Sequence, residues 1–245
     1  TRQTIKLLNH YEIKTPLISY HEHNKMEKTP ILVNRMLAGE NIALVTDAGT
    51  PAISDPGEDL VRACYEAGVE VTSLPGAAAV ITALTLSGMS ARRFTFEGFL
   101  PMDKKEKAAV LKRLETTTCT TIFYEAPHRL LKTLNALQEV VGSGRKIAVC
   151  KELTKKHEKA MHFLLGEAIA FYEENPPKGE FVLVLEGADA NELAASEQEK
   201  WQEMPLTKHM DVYLSQGMPK KEAMKQVAKD RGVPKREIYQ QLLEE

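Results

Sequence analysis

From its amino end the chain alternates short apolar runs with longer stretches in which apolar residues recur every three or four positions. Residues 16–20 predict a short strand, and Thr29-Pro30 starts a helix through Leu37, stopped by Gly39. Residues 42–46 form an apolar run with the signature of a buried strand. In 58–67, Leu60, Ala63, Cys64 and Ala67 fall on one helical stripe. Residues 69–74 predict another strand. Residues 77–86 are apolar or small on every face, which predicts a helix buried all round. Strand–helix–strand–helix at these lengths predicts a mainly parallel sheet with helical crossovers.

From about Arg92 the pattern begins again. Residues 94–99 alternate with period two, 105–114 and 129–141 are amphipathic helices, and 120–124 is a β-branched and aromatic strand. Strands 146–150 and 158–165 have no helix between them, so they pair as neighbours and make this sheet mixed. Helix 167–174 and the loop Asn175-Pro176-Pro177-Lys178-Gly179 lead to a central strand at 181–185. Residues 188–205 are polar and Glu-rich, a linker or an exposed helix around Trp201. Residues 206–245 are helical, with eight Lys or Arg against six Asp or Glu. There Gly217-Met218-Pro219 and Gly232-Val233-Pro234 are breaks, Ala223, Val227 and Ala228 form a seam, and Ile238, Leu242 and Leu243 the apolar side of the last helix. The fold class is α/β: domains at 1–91 and 92–187, a linker at 188–205 and a helical segment at 206–245. That segment reads either as a structural cap or as a nucleic-acid contact, with Lys220, Lys221, Lys225, Lys235 and Arg236 toward phosphates.

Composition narrows the class. The 245 residues are 43% hydrophobic and 27% charged, with a formal net charge of −2, so any polyanion must be met by a local patch. Three cysteines (Cys64, Cys119, Cys150) lack metal spacing, and thiols in a reducing cytosol are the expectation. No apolar run reaches the roughly 20 residues that span a bilayer. The chain opens without Met or a strand, and we expect a segment to precede it.

One stretch carries chemistry beyond architecture. After the strand at 42–46, Asp47-Ala48-Gly49-Thr50-Pro51 and Asp55-Pro56-Gly57 form two turns before a helix. A loop of this kind at a strand's carboxyl end is where open α/β sheets bind ligands. Gly49 allows close backbone approach and Asp47 adds a charge. A plain connection with Asp55 as a helix cap is the alternative.

As a set, the motifs resemble the tetrapyrrole (corrin/porphyrin) methylase family. Within it they resemble the branch that 2′-O-methylates the ribose of a cytidine in small-subunit (16S) ribosomal RNA. The matching segments are Thr46-Asp47-Ala48-Gly49-Thr50-Pro51 with Asp55-Pro56-Gly57, Leu74-Pro75-Gly76, Phe96-Glu97-Gly98-Phe99-Leu100-Pro101, Phe123-Tyr124-Glu125-Ala126-Pro127-His128-Arg129, Lys151-Glu152-Leu153-Thr154-Lys155 and Gly179-Glu180. They stand in family order over residues 1 to about 187. Thr1-Arg2 is similar to the end of that branch's Glu-Asp-Thr-Arg motif. The resemblance implies two α/β domains clasping S-adenosylmethionine, a homodimer, a 30S-subunit partner, a cytoplasmic location and no membrane. It implies donor contacts at Asp47, Ala48, Gly49, Thr50, Pro51, Ile53, Ala78, Ala79, Leu153 and Thr154. Here Asp47 precedes the glycine where the porphyrin enzymes have Gly-Gly-Asp, and Ala78-Ala79 replaces a hydroxyl-bearing pair.

Methyl transfer from a sulfonium to a ribose oxygen needs alignment, exclusion of water, and a base or a cation at the oxygen. No metal is required, and none is assigned to His21 and His23. Glu125, expected to face the cleft, and Lys151 are the catalytic candidates. Glu125 as a partner for Arg129 is the competing reading, and Glu152, His128 and Arg2 are further charged groups near the motifs. The competing functions are a porphyrin or corrin C-methyltransferase and a non-catalytic, RNA-associated cofactor-binding module.

Overall fold

The structure, a computed structural model, describes residues 2–46 and 48–244. The first lobe contains α1 (Arg2–His10), α2 (Lys25–Leu37), α3 (Gly57–Glu66) and α4 (Ala79–Ser87). α2 starts earlier than expected, with Pro30 inside it. Asn24 turns the chain into it: its side chain donates to the Ser19 carbonyl and accepts from the His21 N–H. α2 and α3 bury Leu32, Val33, Leu60 and Cys64, with Ile42, Leu44, Val69 and Val71 half-buried against them.

The strands expected at 16–20, 42–46 and 69–74, and the parallel sheet they implied, are not found among the described residues. An apolar run becomes a strand only when a neighbour takes up its N–H and C=O groups. These runs have no ladder partner, and Leu17, Ile18, Val45 and Leu74 stand exposed. α4 also corrects its expectation. Val80, Ala83, Leu84 and Ser87 are buried, but Ile81 is exposed, so one face packs and the other does not.

The second lobe follows the sequence closely. In order it comprises β1 (Phe94–Phe99), α5 (Lys104–Leu114), β2 (Thr120–Glu125), α6 (Leu130–Val141), β3 (Lys146–Lys151), β4 (Lys159–Leu164), α7 (Leu165–Glu174) and β5 (Phe181–Leu185). The sheet order is β1-β2-β5-β3-β4. β1 and β2 are parallel, and the other neighbours are antiparallel, which makes the sheet mixed as expected. β3 and β4 form the predicted adjacent pair. Strand residues alternate between faces. Phe123, Ile147, Val149, Phe181 and Leu183 meet α5, α6 and α7, whereas Ile122, Ala148, Cys150, Val182 and Val184 meet α4. This topology places the carboxyl ends of β1, β2 and β3 at one end of the sheet, here called the cleft end.

β5 finishes at the far end and passes into the 186–189 connection. Then come α8 (Ala190–Glu203), α9 (Leu206–Leu214), α10 (Lys220–Arg231) and α11 (Lys235–Glu244). Thus 190–203 is the exposed helix around Trp201 of the two readings given for this stretch, with no fully buried residue. Ala223, Val227 and Ala228 do form the seam, closed by Leu206, Met210 and Ile238. Leu242 packs against it, but Leu243 is exposed and lies outside the seam expected of it. The unit holds a polar core: buried His209 stacks on Trp201 with ring centroids 4.1 Å apart, accepts from Arg231 Nε at 3.1 Å, and lies 3.3 Å from Asp230. Tyr213 donates to the same Asp230 carboxylate at 2.5 Å.

Candidate active site at the cleft end

Two loops of the first lobe are tied together where α4 begins. Thr50 donates to the Ala77 carbonyl from its N–H (2.8 Å) and from its hydroxyl (3.1 Å). Gly49 beside it has φ +75°, and a Cβ there would sit 3.1 Å from the same carbonyl oxygen. Asp55 shapes the rest: its carboxylate accepts from the N–H groups of Ala52 (2.9 Å) and Gly57 (2.8 Å). Asp55 thus ties the turn to the first residue of α3, and the same turn bends Ala52 and Ser54 into left-handed backbone, φ +66° and +60°.

The second lobe contributes the loop after β3. Glu152 and Thr154 are left-handed too, φ +51° and +66°. Each such residue costs roughly 1–2 kcal/mol in a non-glycine. Carboxylates hold the conformation in place. Glu152 Oε1 accepts from the Glu180 N–H at 2.8 Å and from Lys155 Nζ at 3.1 Å, and Glu158 accepts from the Thr154 N–H at 2.6 Å. The Glu180 N–H, then Lys155, keeps the Glu152 carboxyl below the usual carboxylate range. Four of the five left-handed non-glycine residues among those described fall in these two loops. Strain of this kind gathers at sites where the surrounding structure fixes a shape for a ligand.

The expected donor residues come together to a large degree. Leu153 is buried in one cluster with Val80 and Val182, and Ala78 and Ala79 pack against it. Thr50 reaches the same segment through Ala77. Ala48 is exposed, Pro51 and Ile53 are half-buried in the tied loop, and Asp47 lies outside the described residues. Tyr124, which the sequence did not single out, is the pivot. Its hydroxyl accepts from the Val80 N–H at 3.2 Å, and its ring meets Phe96 edge-on at 4.8 Å. Burial pushes its phenol up, so the hydroxyl stays neutral. A helix start with an orphan N–H and an aromatic strand opposite it were the available signals.

The catalytic candidates are placed otherwise. Glu125 does not face this cluster. It follows Tyr124 on β2, so it points to the other face, where it is 2% exposed. Its Oε2 accepts from the Thr133 hydroxyl at 2.5 Å, and its Oε1 accepts from the Ala126 N–H at 2.9 Å. Arg129 Nε lies 3.4 Å from Oε1, and the Arg129 guanidinium donates to the Leu100 carbonyl at 2.5 Å. The Arg129 pairing considered from sequence is therefore present. Lys151 is half-buried on the last rung of β3. It pairs with Phe181, which also pairs with Glu125, so the two candidates stand about 10 Å apart on one face. Lys151 has no ion pair among the described residues. His128 is exposed, and the side chain of Arg2 lies outside what the structure describes. Among the described residues no group of three or more His, Cys, Asp or Glu could hold a metal.

Comparison with known proteins fits this geometry. The family described as Tetrapyrrole (Corrin/Porphyrin) Methylases matches residues 2–169. The chain belongs to that family. Ribosomal RNA small subunit methyltransferase I of Bacillus subtilis (strain 168) is 48% identical over 239 residues, covering 98% of this chain and 81% of the relative. The protein of the same name from Escherichia coli O157:H7 is 41% identical over 248 residues, covering 100% and 84%. Among solved structures, the methyltransferase CobJ superposes with a TM-score of 0.52 at 19% identity, over 67% of this chain and 72% of that one, which supports the fold.

Proposed function

We propose that this family member is an S-adenosylmethionine-dependent methyltransferase that acts on small-subunit (16S) ribosomal RNA, and that the acceptor is the 2′-oxygen of a cytidine ribose. The observation that carries the reading is the convergence of two left-handed loops on the start of α4 at the carboxyl ends of the strands: 48–54 is tied there through Thr50 and Ala77, and 152–154 through Leu153, whose cluster packs against Ala78 and Ala79. That surface is apolar side chain and bent backbone, which suits an amphipathic nucleoside. We assign Ala48, Gly49, Thr50, Pro51, Ile53, Ala78, Ala79, Leu153 and Thr154 to holding the donor, with Asp47 beside them. When bound, the donor supplies an activated methyl group, so displacement needs no metal.

The chain's own residues align and shield. Loops fixed by Asp55, Glu152 and Glu158 need no reorganisation when the donor arrives. Lys151, which has no ion pair among the described residues and stands directly before the 152–154 loop, is assigned to the acceptor oxygen. It shares the Glu125 face of the sheet, so its flexible stem has to carry the ammonium round the end of β3 to reach that oxygen, where it eases loss of the proton. Glu125 is assigned a positioning role: through Arg129 it holds the Leu100 carbonyl and so the loop between β1 and α5. The exposed Leu7, Tyr11, Ile13, Leu17 and Ile18 of the first lobe support a homodimer, which sedimentation would test. No helix among the described residues is long and apolar enough to cross a membrane, and an assignment to the cytoplasm follows from the ribosomal acceptor.

The test uses labelled S-adenosylmethionine with either 30S subunits or uroporphyrinogen. Label is expected in the ribose of the ribosomal RNA. Label in the porphyrin, or in a base, would sink the reading. Lys151→Met is expected to lower kcat about a hundredfold while donor affinity, by calorimetry, stays within twofold.

A further inference from the structure

At the cleft end the second lobe places lysines where local preference opposes them. Lys104, Lys105 and Lys107 occupy the first turn of α5. The positive end of a helix dipole disfavours cations there. Lys151 and Lys159 stand directly opposite each other across β3 and β4, and like charges in that relation destabilise a sheet. Lys132 lies in the first turn of α6, and exposed Lys156 in the loop between β3 and β4. None of these side chains has an ion pair among the described residues.

The acids of the same end are largely committed to the fold. Asp103 caps α5, accepting from the N–H groups of Lys105 and Glu106. Glu125 is enclosed, Glu152 and Glu180 share Lys155, and Glu158 holds the Thr154 N–H. Glu106 in α5 and Glu173 and Glu174 at the end of α7 remain. The far end is mixed in charge: Glu186, Asp189 and Glu192 line a cavity of about 660 Å³ together with Arg145 and Lys146, and Lys146 pairs with Glu186 at 3.2 Å.

We propose that the lysine rim formed by Lys104, Lys105, Lys107, Lys132, Lys156 and Lys159 grips the phosphates that flank the target nucleotide. The inference rests on the methyltransferase reading above and names the surface that presents its RNA. The rim borders the end where the donor loops converge, so a strand held on it passes the cleft. The helical unit is also basic at Lys220 and Lys221, but its chain joins the lobe at the far end, through residues 186–189.

Two variants test this, Lys104→Gln/Lys105→Gln/Lys107→Gln and Lys156→Gln/Lys159→Gln. Binding to deproteinised small-subunit ribosomal RNA and to 30S particles is measured across a salt series, with donor affinity and thermal melting as controls. Each variant is expected to lose about tenfold in RNA affinity, and its salt dependence to become shallower by about one unit of log–log slope per lysine. Donor affinity is expected to stay within twofold. Unchanged RNA affinity in both variants, with affinity lost instead in Lys220→Gln/Lys221→Gln/Lys225→Gln, would overturn the rim while methylation of RNA by the unaltered chain keeps the parent reading. An unaltered chain that binds and methylates no RNA would overturn both.

Discussion

The two lobes build the same cleft by different means. The second has a five-stranded sheet with apolar layers on both faces, and Phe123, Leu134, Ile147 and Leu183 are fully buried in it. The first has a small core around Leu32, Leu60 and Cys64, no strand among its described residues, and many exposed apolar side chains. The sheet lobe can therefore supply fixed points, such as Tyr124 and the row of Glu125, Phe181 and Lys151. The helical lobe supplies loops that take their shape by being tied to themselves, through Asp55 and through Thr50 and Ala77. The site is a set of self-tied loops set against the end of a sheet.

Core truncation should expose the difference most. Leu134→Ala is expected to cost about 4 kcal/mol in urea unfolding and Leu60→Ala about 2 kcal/mol, because the smaller core can collapse onto the gap. Equal costs would break the contrast. Next in size is Glu125→Ala, expected to cost about 3 kcal/mol, since it strands Arg129 and the Thr133 hydroxyl around an empty buried position. If the same change left stability intact but abolished methylation at every pH, Glu125 would return to the catalytic set.

That pair also marks how far the sequence could be read. The β-branched, aromatic and apolar runs at 120–124, 146–150 and 181–185 were enough to find three strands, because in a sheet lobe each such run meets a partner and is stabilised as written. The runs at 42–46 and 69–74 looked just as strand-like, but strand formation is decided by a neighbour, which a run does not contain. The donor loops were legible from their Gly and Pro residues, whose backbone restrictions are local. Glu125 was misplaced because its environment depends on Thr133, Arg129 and the Leu100 carbonyl, groups brought together only by packing α6 on the sheet. Tyr124 was passed over for a similar reason: its role is set by the Val80 N–H, 44 positions away.

Smaller effects sharpen the comparison. Gly49→Ala forces a side chain into left-handed backbone against the Ala77 carbonyl, at a cost of about 1 kcal/mol. Its main consequence should be a donor affinity about tenfold weaker by calorimetry, with the second lobe's melting unchanged. Unaltered donor binding would show that the loop tolerates reshaping. The smallest effect belongs to the helical unit. Burial holds the His209 imidazole below its ordinary value, with Arg231 adding to the shift and Asp230 opposing it. The unfolded chain takes up that proton near pH 6.5 and the folded one resists it. His209 therefore supports the unit fully above about pH 6.5, and the support fades as pH falls. Trp201, the single tryptophan and the ring stacked on His209, should report the change by fluorescence between pH 7.5 and 5.5. The His209→Gln variant should flatten it, and a pH-independent signal in the unaltered chain would show that His209 is not the group involved.

The position of β5 has a consequence for synthesis. It is the last strand in chain order yet lies between β2 and β3. A nascent polypeptide that ends before Phe181 has both halves of the sheet but nothing to join them, and two open edges face each other. The lobe can close only after residue 185 has left the ribosome, so a chaperone that shields β2 and β3 until then would guard the one interval in which this protein is most prone to pair with another chain.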